Sequence, residues 1–111
     1  MWMPIHDVTV DMGVLQVATG SHRLGSLGDF HMSDEWHAAV SRIIADMGLA
    51  VSPATPFRAG DAVFFRGWTF ASETENRSDE MRRVVTMVYY SDGIRLARLD
   101  HPVRLLARDT F

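Results

Sequence analysis

The side chains able to do chemistry in this 111-residue chain are few: His6, His22, His31, His37 and His101, fourteen carboxylates, and no cysteine. Lack of cysteine removes thiolate nucleophiles, disulfide frameworks and Cys-rich zinc or iron–sulfur sites. His6 and Asp7 are adjacent, and adjacent side chains on a strand point to opposite faces, so the pair cannot easily hold one metal. His31 and His37 stand six residues apart around a helix start, a poor spacing for i, i+4 ligation, and both read as solvent-facing. His101, beside Asp100 in LDHPVRLL, reads as a surface residue. Ser21, His22 and Asp61 have the residue types of a hydrolase triad, yet no G-x-S-x-G elbow presents the serine, and the grouping reads as chance. Arg82 opens an apolar segment, where the ordinary role of an arginine is an ion pair with Glu73, Glu75 or Asp79 of the preceding loop. Eleven residues before it the stretch GWTF runs into Ala71, which raises the question of what that stretch is aimed at.

The elements that must position these residues are mostly strands and turns. Trp2 to Val8 is apolar and β-prone, Asp11-Met12-Gly13 supplies a turn, and Val14 to Ala18 gives a second strand before Thr19-Gly20-Ser21, so the two form a hairpin candidate. From Ser33 to Gly48 the period changes. Trp36, Ala39, Val40, Ile43, Ile44 and Met47 fall on one face of a 3.6-residue helix, with Ser33 at the N-cap, Asp34 and Glu35 in the first turn and Gly48 at the C′ position. Ser52-Pro53 and Thr55-Pro56 hold an extended link, FRAGD turns the chain into a strand over Ala62 to Phe65, and Gly67 allows a bend before Trp68 to Ala71. Arg82 to Tyr90 is β-branched and aromatic, with Arg82, Val84, Thr86 and Val88 on one face. The pattern predicts one domain over residues 1–111, mostly β, with a helix inserted around 33–47.

Bulk properties exclude several classes. The net charge of −3 gives no electrostatic reason to expect nucleic acid or an anionic membrane as partner. With 47% hydrophobic residues the chain has the composition to collapse around a core. No run reaches membrane length, and MWMPIHDVTV has no basic n-region followed by an apolar h-region, so a soluble, cytoplasmic protein is expected. Asn76-Arg77-Ser78 matches a glycosylation sequon in form only.

Three stretches carry more. DVTVDMGVLQVATGSHRLG from Asp7, FRAGDAVFFRGWTF from Phe57 and NRSDEMRRVVTMVYYSDGIRL from Asn76 together resemble the phytanoyl-CoA dioxygenase family, with Trp2, Asp7, Thr9, Gly13, Leu15, Gly20, Ser21, His22, Gly60, Asp61, Asn76 and Arg82 on its motif positions in order. The resemblance implies a double-stranded β-helix, a cupin-like jelly roll, of which the five or six strands legible here form a part. It also implies Fe(II) and 2-oxoglutarate as cofactors. Two histidines and a carboxylate hold the iron on one side, leaving positions for 2-oxoglutarate and dioxygen. An arginine receives the far carboxylate of 2-oxoglutarate, a role that falls on Arg82 and suits a planar guanidinium. Trp2 is a further candidate co-substrate contact.

The departures from that family matter as much. No H-x-D pair occurs in the sequence, which is expected to be shortened at its N-terminus relative to the family. His6-Asp7 aligns with a later aspartate, not with that pair. The distal histidine, eleven residues before the arginine, is replaced by Ala71, and a methyl group cannot coordinate iron. Phe65 makes the same wall more apolar. Loss of a histidine also argues against a halogenase, which gives up the carboxylate and keeps both histidines.

Three readings follow. The first is an oxygenase-family domain that is catalytically inactive as this chain and binds neither iron nor 2-oxoglutarate. The second is a metal-free jelly-roll module that binds a small carboxylate or forms a homodimer through exposed strand edges. The third is an enzyme whose metal site is completed at an oligomer interface. Unpaired edges are expected in either of the first two, because a double-stranded β-helix closes with about eight strands.

Overall fold

A computed structural model describes residues 1–27 and 33–94. The expectations for His31, for Asp100 and His101, and for the end of the third motif lie outside these residues. The elements run β1 (Trp2–Pro4), a 3-10 turn (Val10–Met12), β2 (Leu15–Val17), a second 3-10 turn (Ser21–Leu24), α1 (Asp34–Asp46), β3 (Ala71–Glu73) and β4 (Val84–Thr86).

The strands form two small antiparallel sheets. β1 pairs with β4, Trp2 opposite Thr86 and Pro4 opposite Val84, while β2 pairs with β3, Leu15 opposite Glu73 and Val17 opposite Ala71. The hairpin expected of β1 and β2 does not form. Alternation along a strand fixes which face a residue takes but says nothing about which strand it pairs with. Here the intervening 3-10 turn carries β2 away from β1 into a separate sheet. The strand expected over Ala62 to Phe65 is likewise reduced to a single pairing, Trp2 with Val63, in the same register as a second one, Val8 with Phe57.

What separates those two pairings is the FRAGD turn. The Asp61 carboxylate accepts from the Arg58 N–H at 2.7 Å, the Asp61 N–H returns to the Arg58 carbonyl, and the Asp7 carboxylate accepts from the Ala59 N–H at 2.8 Å. Two aspartates thus satisfy a loop that leaves the ladder, and residues 57–63 flank β1 on the edge opposite β4. In the other sheet, residues 50–52 flank β2. Ser52 N–H donates to the Val17 carbonyl, and Ser52 Oγ accepts from the Val17 N–H at 3.0 Å.

α1 forms where the periodicity places it. Ser33 Oγ accepts from the Trp36 N–H at 3.2 Å, and the helix ends in a Schellman arrangement: the Gly48 N–H donates to Ala45 and the Leu49 N–H to Ile44, with Gly48 at φ +60°. The helix is amphipathic but shallowly docked. Trp36, Val40, Ile43 and Ile44 are half-buried, and no residue of α1 is fully buried. No helix among the described residues is long and apolar enough to cross a membrane.

The core sits at the N-terminal end. Val8, Met12 and Val14 form its centre with Phe57 packed against them, and Trp2, Leu15 and Ala18 are also buried. The apolar content of the later segments does not follow: Phe64, Trp68, Met81 and Met87 through Tyr90 are exposed, because no second layer covers them among the described residues. Composition predicted collapse, and the pairing pattern confines it to residues 2–18 and Phe57.

The loop between β3 and β4 wraps the first 3-10 turn. Arg77 N–H donates to the Asp11 carbonyl at 2.7 Å and Thr74 N–H to the Val14 carbonyl at 2.9 Å, so Gly13 is enclosed. A Cβ there would collide with the Thr74 carbonyl oxygen and with Arg82 Nη1, and the φ of +83° already excludes most side chains. Gly20 has the same φ with open space around it. Gly13→Ala is therefore expected to cost about 2 kcal/mol or more, and Gly20→Ala about 1 kcal/mol. Urea denaturation of both variants checks this; equal costs would show that the 74–82 loop does not enclose the turn.

Candidate functional site

β3 carries Ala71 and Glu73 on one face, with Ser72 on the other. Residues directly opposite in an antiparallel pair share a face, so Val17 and Leu15 of β2 stand beside them. Leu15 and Val17 line an apolar cavity of about 180 Å³ whose other walls are Ser52, Pro53, Phe57 and Val63. Phe57 packs against Trp2, ring centroids 5.0 Å apart. The cavity is thus bordered by Phe57 and Val63, which contact Trp2, and by Leu15 and Val17, which pair with β3.

The polar groups of that region converge on Glu73. Trp2 is 3% exposed, and its indole Nε1–H donates to Glu73 Oε1 at 3.0 Å. On the other oxygen, Glu73 Oε2 lies 3.9 Å from Arg82 Nη2, the two side chains being 37% and 21% exposed. Arg82 Nη1 donates to the Gly13 carbonyl at 3.1 Å and at longer range, 3.4 Å, to that of Met12. A cation aimed at these carbonyls also stabilises the negative end of the 3-10 turn they terminate. The ion pair expected as the ordinary role of Arg82 is thus present, and its partner is Glu73. Glu75 instead pairs with Arg77 at 3.1 Å on the exposed surface.

The histidines are placed elsewhere. His6 Nε2 accepts from the Arg83 N–H at 2.9 Å, which leaves Nδ1 to carry the proton and donate to the Asp7 carbonyl at 2.8 Å. Both ring nitrogens are therefore engaged, Nε2 linking the segment after β1 to the one before β4 and Nδ1 bonding locally. His37 is exposed on α1. His22 lies in the second 3-10 turn, where the side-chain bonds come from its neighbour: Ser21, fully buried, donates to the Ala18 carbonyl and accepts from the Phe70 N–H, both at 2.8 Å. Among the described residues no three His, Asp or Glu side chains converge as a metal-binding group. On the β3 face the available atoms are the Ala71 methyl, one carboxylate already engaged by two donors, and hydrocarbon. This set does not fit Fe(II).

Three residues gained significance only in the structure. Glu73 figured in the sequence as one of three loop carboxylates, yet it alone reaches across from one sheet to residues of the other. Ser21 fixes the amide of Phe70 and with it the entry of β3, so the GSH stretch positions the backbone that leads into Ala71. The NRS sequence is a turn: Asn76 Oδ1 accepts from the N–H and the hydroxyl of Ser78, and Asn76 Nδ2 donates to the Glu80 carbonyl. The signal for Asn76 was there in the ability of asparagine to close an Asx turn two residues on.

Ser21→Ala leaves the Phe70 N–H without its buried acceptor. The expected loss is about 1–3 kcal/mol, accompanied by faster hydrogen exchange at the Phe70 amide than at amides of α1; unchanged exchange there would show that β3 is held in some other way.

Compared with known proteins, residues 1–84 match a family model described as phytanoyl-CoA dioxygenase (PhyH). No curated protein and no solved structure matches the chain.

Proposed function

The chain belongs to the phytanoyl-CoA dioxygenase family, and from that premise we propose that it is a part of the family's jelly roll that does not run the oxygenase reaction as this chain. The family in general depends on Fe(II) and 2-oxoglutarate. One observation carries the reading: the residue on β3 that stands at the distal ligand position is Ala71, on the same face as the apolar cavity beside Leu15 and Val17. Arg82, the residue matching the co-substrate anchor, is turned to protein partners, Glu73 and the Gly13 carbonyl. The anchor architecture is kept and serves the fold. A small carboxylate is the ligand class this architecture is suited to, in a cytoplasmic setting that a cysteine-free chain tolerates.

Titration with Mn(II) and 2-oxoglutarate, followed by calorimetry, is expected to give no metal-dependent binding, and Ala71→His alone is expected to give no turnover of 2-oxoglutarate. Metal-dependent binding by the unmodified chain that vanishes in Arg82→Ala would overturn the reading, as would turnover by Ala71→His.

A second reading, as a dimerisation module, has its own support. Among the described residues β3 and β4 each present an unpaired edge, and β4 continues into Met87, Val88, Tyr89 and Tyr90, the last 72% exposed. Phe64 and Tyr89 stand with ring centroids 6.5 Å apart on the same apolar side. Sedimentation is expected to give a concentration-dependent dimer that Tyr90→Lys with Val88→Lys weakens; a monomer at all concentrations would exclude this reading.

A further inference from the structure

We infer that Glu73 is an internal ligand of the Trp2–Arg82 anchor, and that removing its carboxylate opens a site for a free, short-chain apolar carboxylic acid. This rests on reading Arg82 as a carboxylate anchor and deepens it by naming what occupies the anchor and what could replace it.

The convergence of donors is the first ground. Glu73 Oε1 takes the indole N–H of Trp2 at 3.0 Å and Oε2 faces the guanidinium of Arg82 at 3.9 Å, so donors from the two ends of one sheet meet a single carboxylate delivered by the other. The second ground is that the donors are held without it. Arg82 Nη1 is fixed by the Gly13 carbonyl at 3.1 Å, and Trp2 is buried, packed at a tilt against Phe57 and tied at its backbone to Val63. Removing Glu73 would therefore leave two donors aimed at a carboxylate-sized space. The third is the looseness of the ion pair. A charge-assisted N–H···O bond closes to about 2.7–2.9 Å, and the 3.9 Å contact leaves Nη2 with capacity for a shorter one.

The ligand class follows from what lies beside the anchor. The cavity of about 180 Å³ is walled chiefly by Leu15, Val17, Pro53, Phe57 and Val63, with the uncharged Ser52 and Thr55 as its polar members. It has room for about six waters' volume. A carboxylate with a body of three or four carbons fits that space, and a second carboxylate would enter a mainly apolar lining that offers no cationic side chain. The occupant predicted is thus a monocarboxylate such as butyrate, in preference to a dicarboxylate such as glutarate.

The experiment measures butyrate binding to the full chain by calorimetry and by indole N–H chemical shift, with chelator present throughout so that no metal contributes. Glu73→Ala is expected to bind butyrate at least about tenfold more tightly than the unmodified chain, to prefer it to glutarate, and to lose the gain when combined with Arg82→Ala. Glu73→Gln, which keeps an acceptor for Trp2 and drops the charge, is expected to show a smaller gain and guards against a folding defect in the alanine variant. No gain in either variant, or a gain that survives Arg82→Ala, overturns the proposal. A role for Glu73 in stability alone would lower the denaturation midpoint and leave butyrate binding unchanged. The metal-free reading of the chain fails on a separate result, Mn(II)-dependent binding of 2-oxoglutarate, which the chelated assay does not touch.

Discussion

One carboxylate joins two sheets that share no ladder. β1 supplies an indole N–H and the segment leading into β4 a guanidinium, β3 supplies Glu73, and the same guanidinium reaches the carbonyls that end the 3-10 turn between β1 and β2. Two-stranded sheets of three-residue strands are marginal on their own. Their relative placement therefore depends on side-chain bonds between sheets and on loops that cross between them. The 74–82 loop is the chief of these, closing on Asp11 and Val14 around a glycine that leaves room for nothing larger.

That arrangement explains where the core lies. The segments with the densest network of bonds, residues 2–18 with 57–63 and 70–77, enclose Val8, Met12 and Val14. Beyond them the chain carries apolar side chains with no opposing layer, and α1 sits on the body with only half-buried contacts. A helix of this kind owes its boundaries to local signals, the Ser33 cap and the Gly48 stop, and not to tertiary packing. This is why it was legible from the sequence to within a residue at each end.

Strand partners were not legible in the same way. The pattern located Leu15–Val17 and Val84–Thr86 inside longer β-prone stretches, and it placed Arg82 on the face shared by Val84 and Thr86. Partner choice needs contacts far apart in sequence, such as Trp2 with Thr86 and Leu15 with Glu73, and no local period encodes them. For Ala71 the family resemblance supplied an expected role that no periodicity could. Neither source singled out Glu73, because its role comes only from the meeting of three remote segments. A carboxylate in a polar loop between strands has the composition of a solvated turn.

The physical cost of a carboxylate anchor falls on the protein when no ligand is bound. A guanidinium that is largely covered, together with a buried indole N–H, loses solvation on folding and needs an acceptor from somewhere. A site that binds its ligand tightly can leave those donors facing water in an open cleft. A site that has given up the metal donor beside it gains nothing from that openness, and an internal acid two residues along the same strand face satisfies both donors at once. On the proposed reading Ala71 and Glu73 are linked: the first would remove the reason for holding an anchor open, while the second engages Trp2 and Arg82 and fastens β3 to β1 and to the segment before β4.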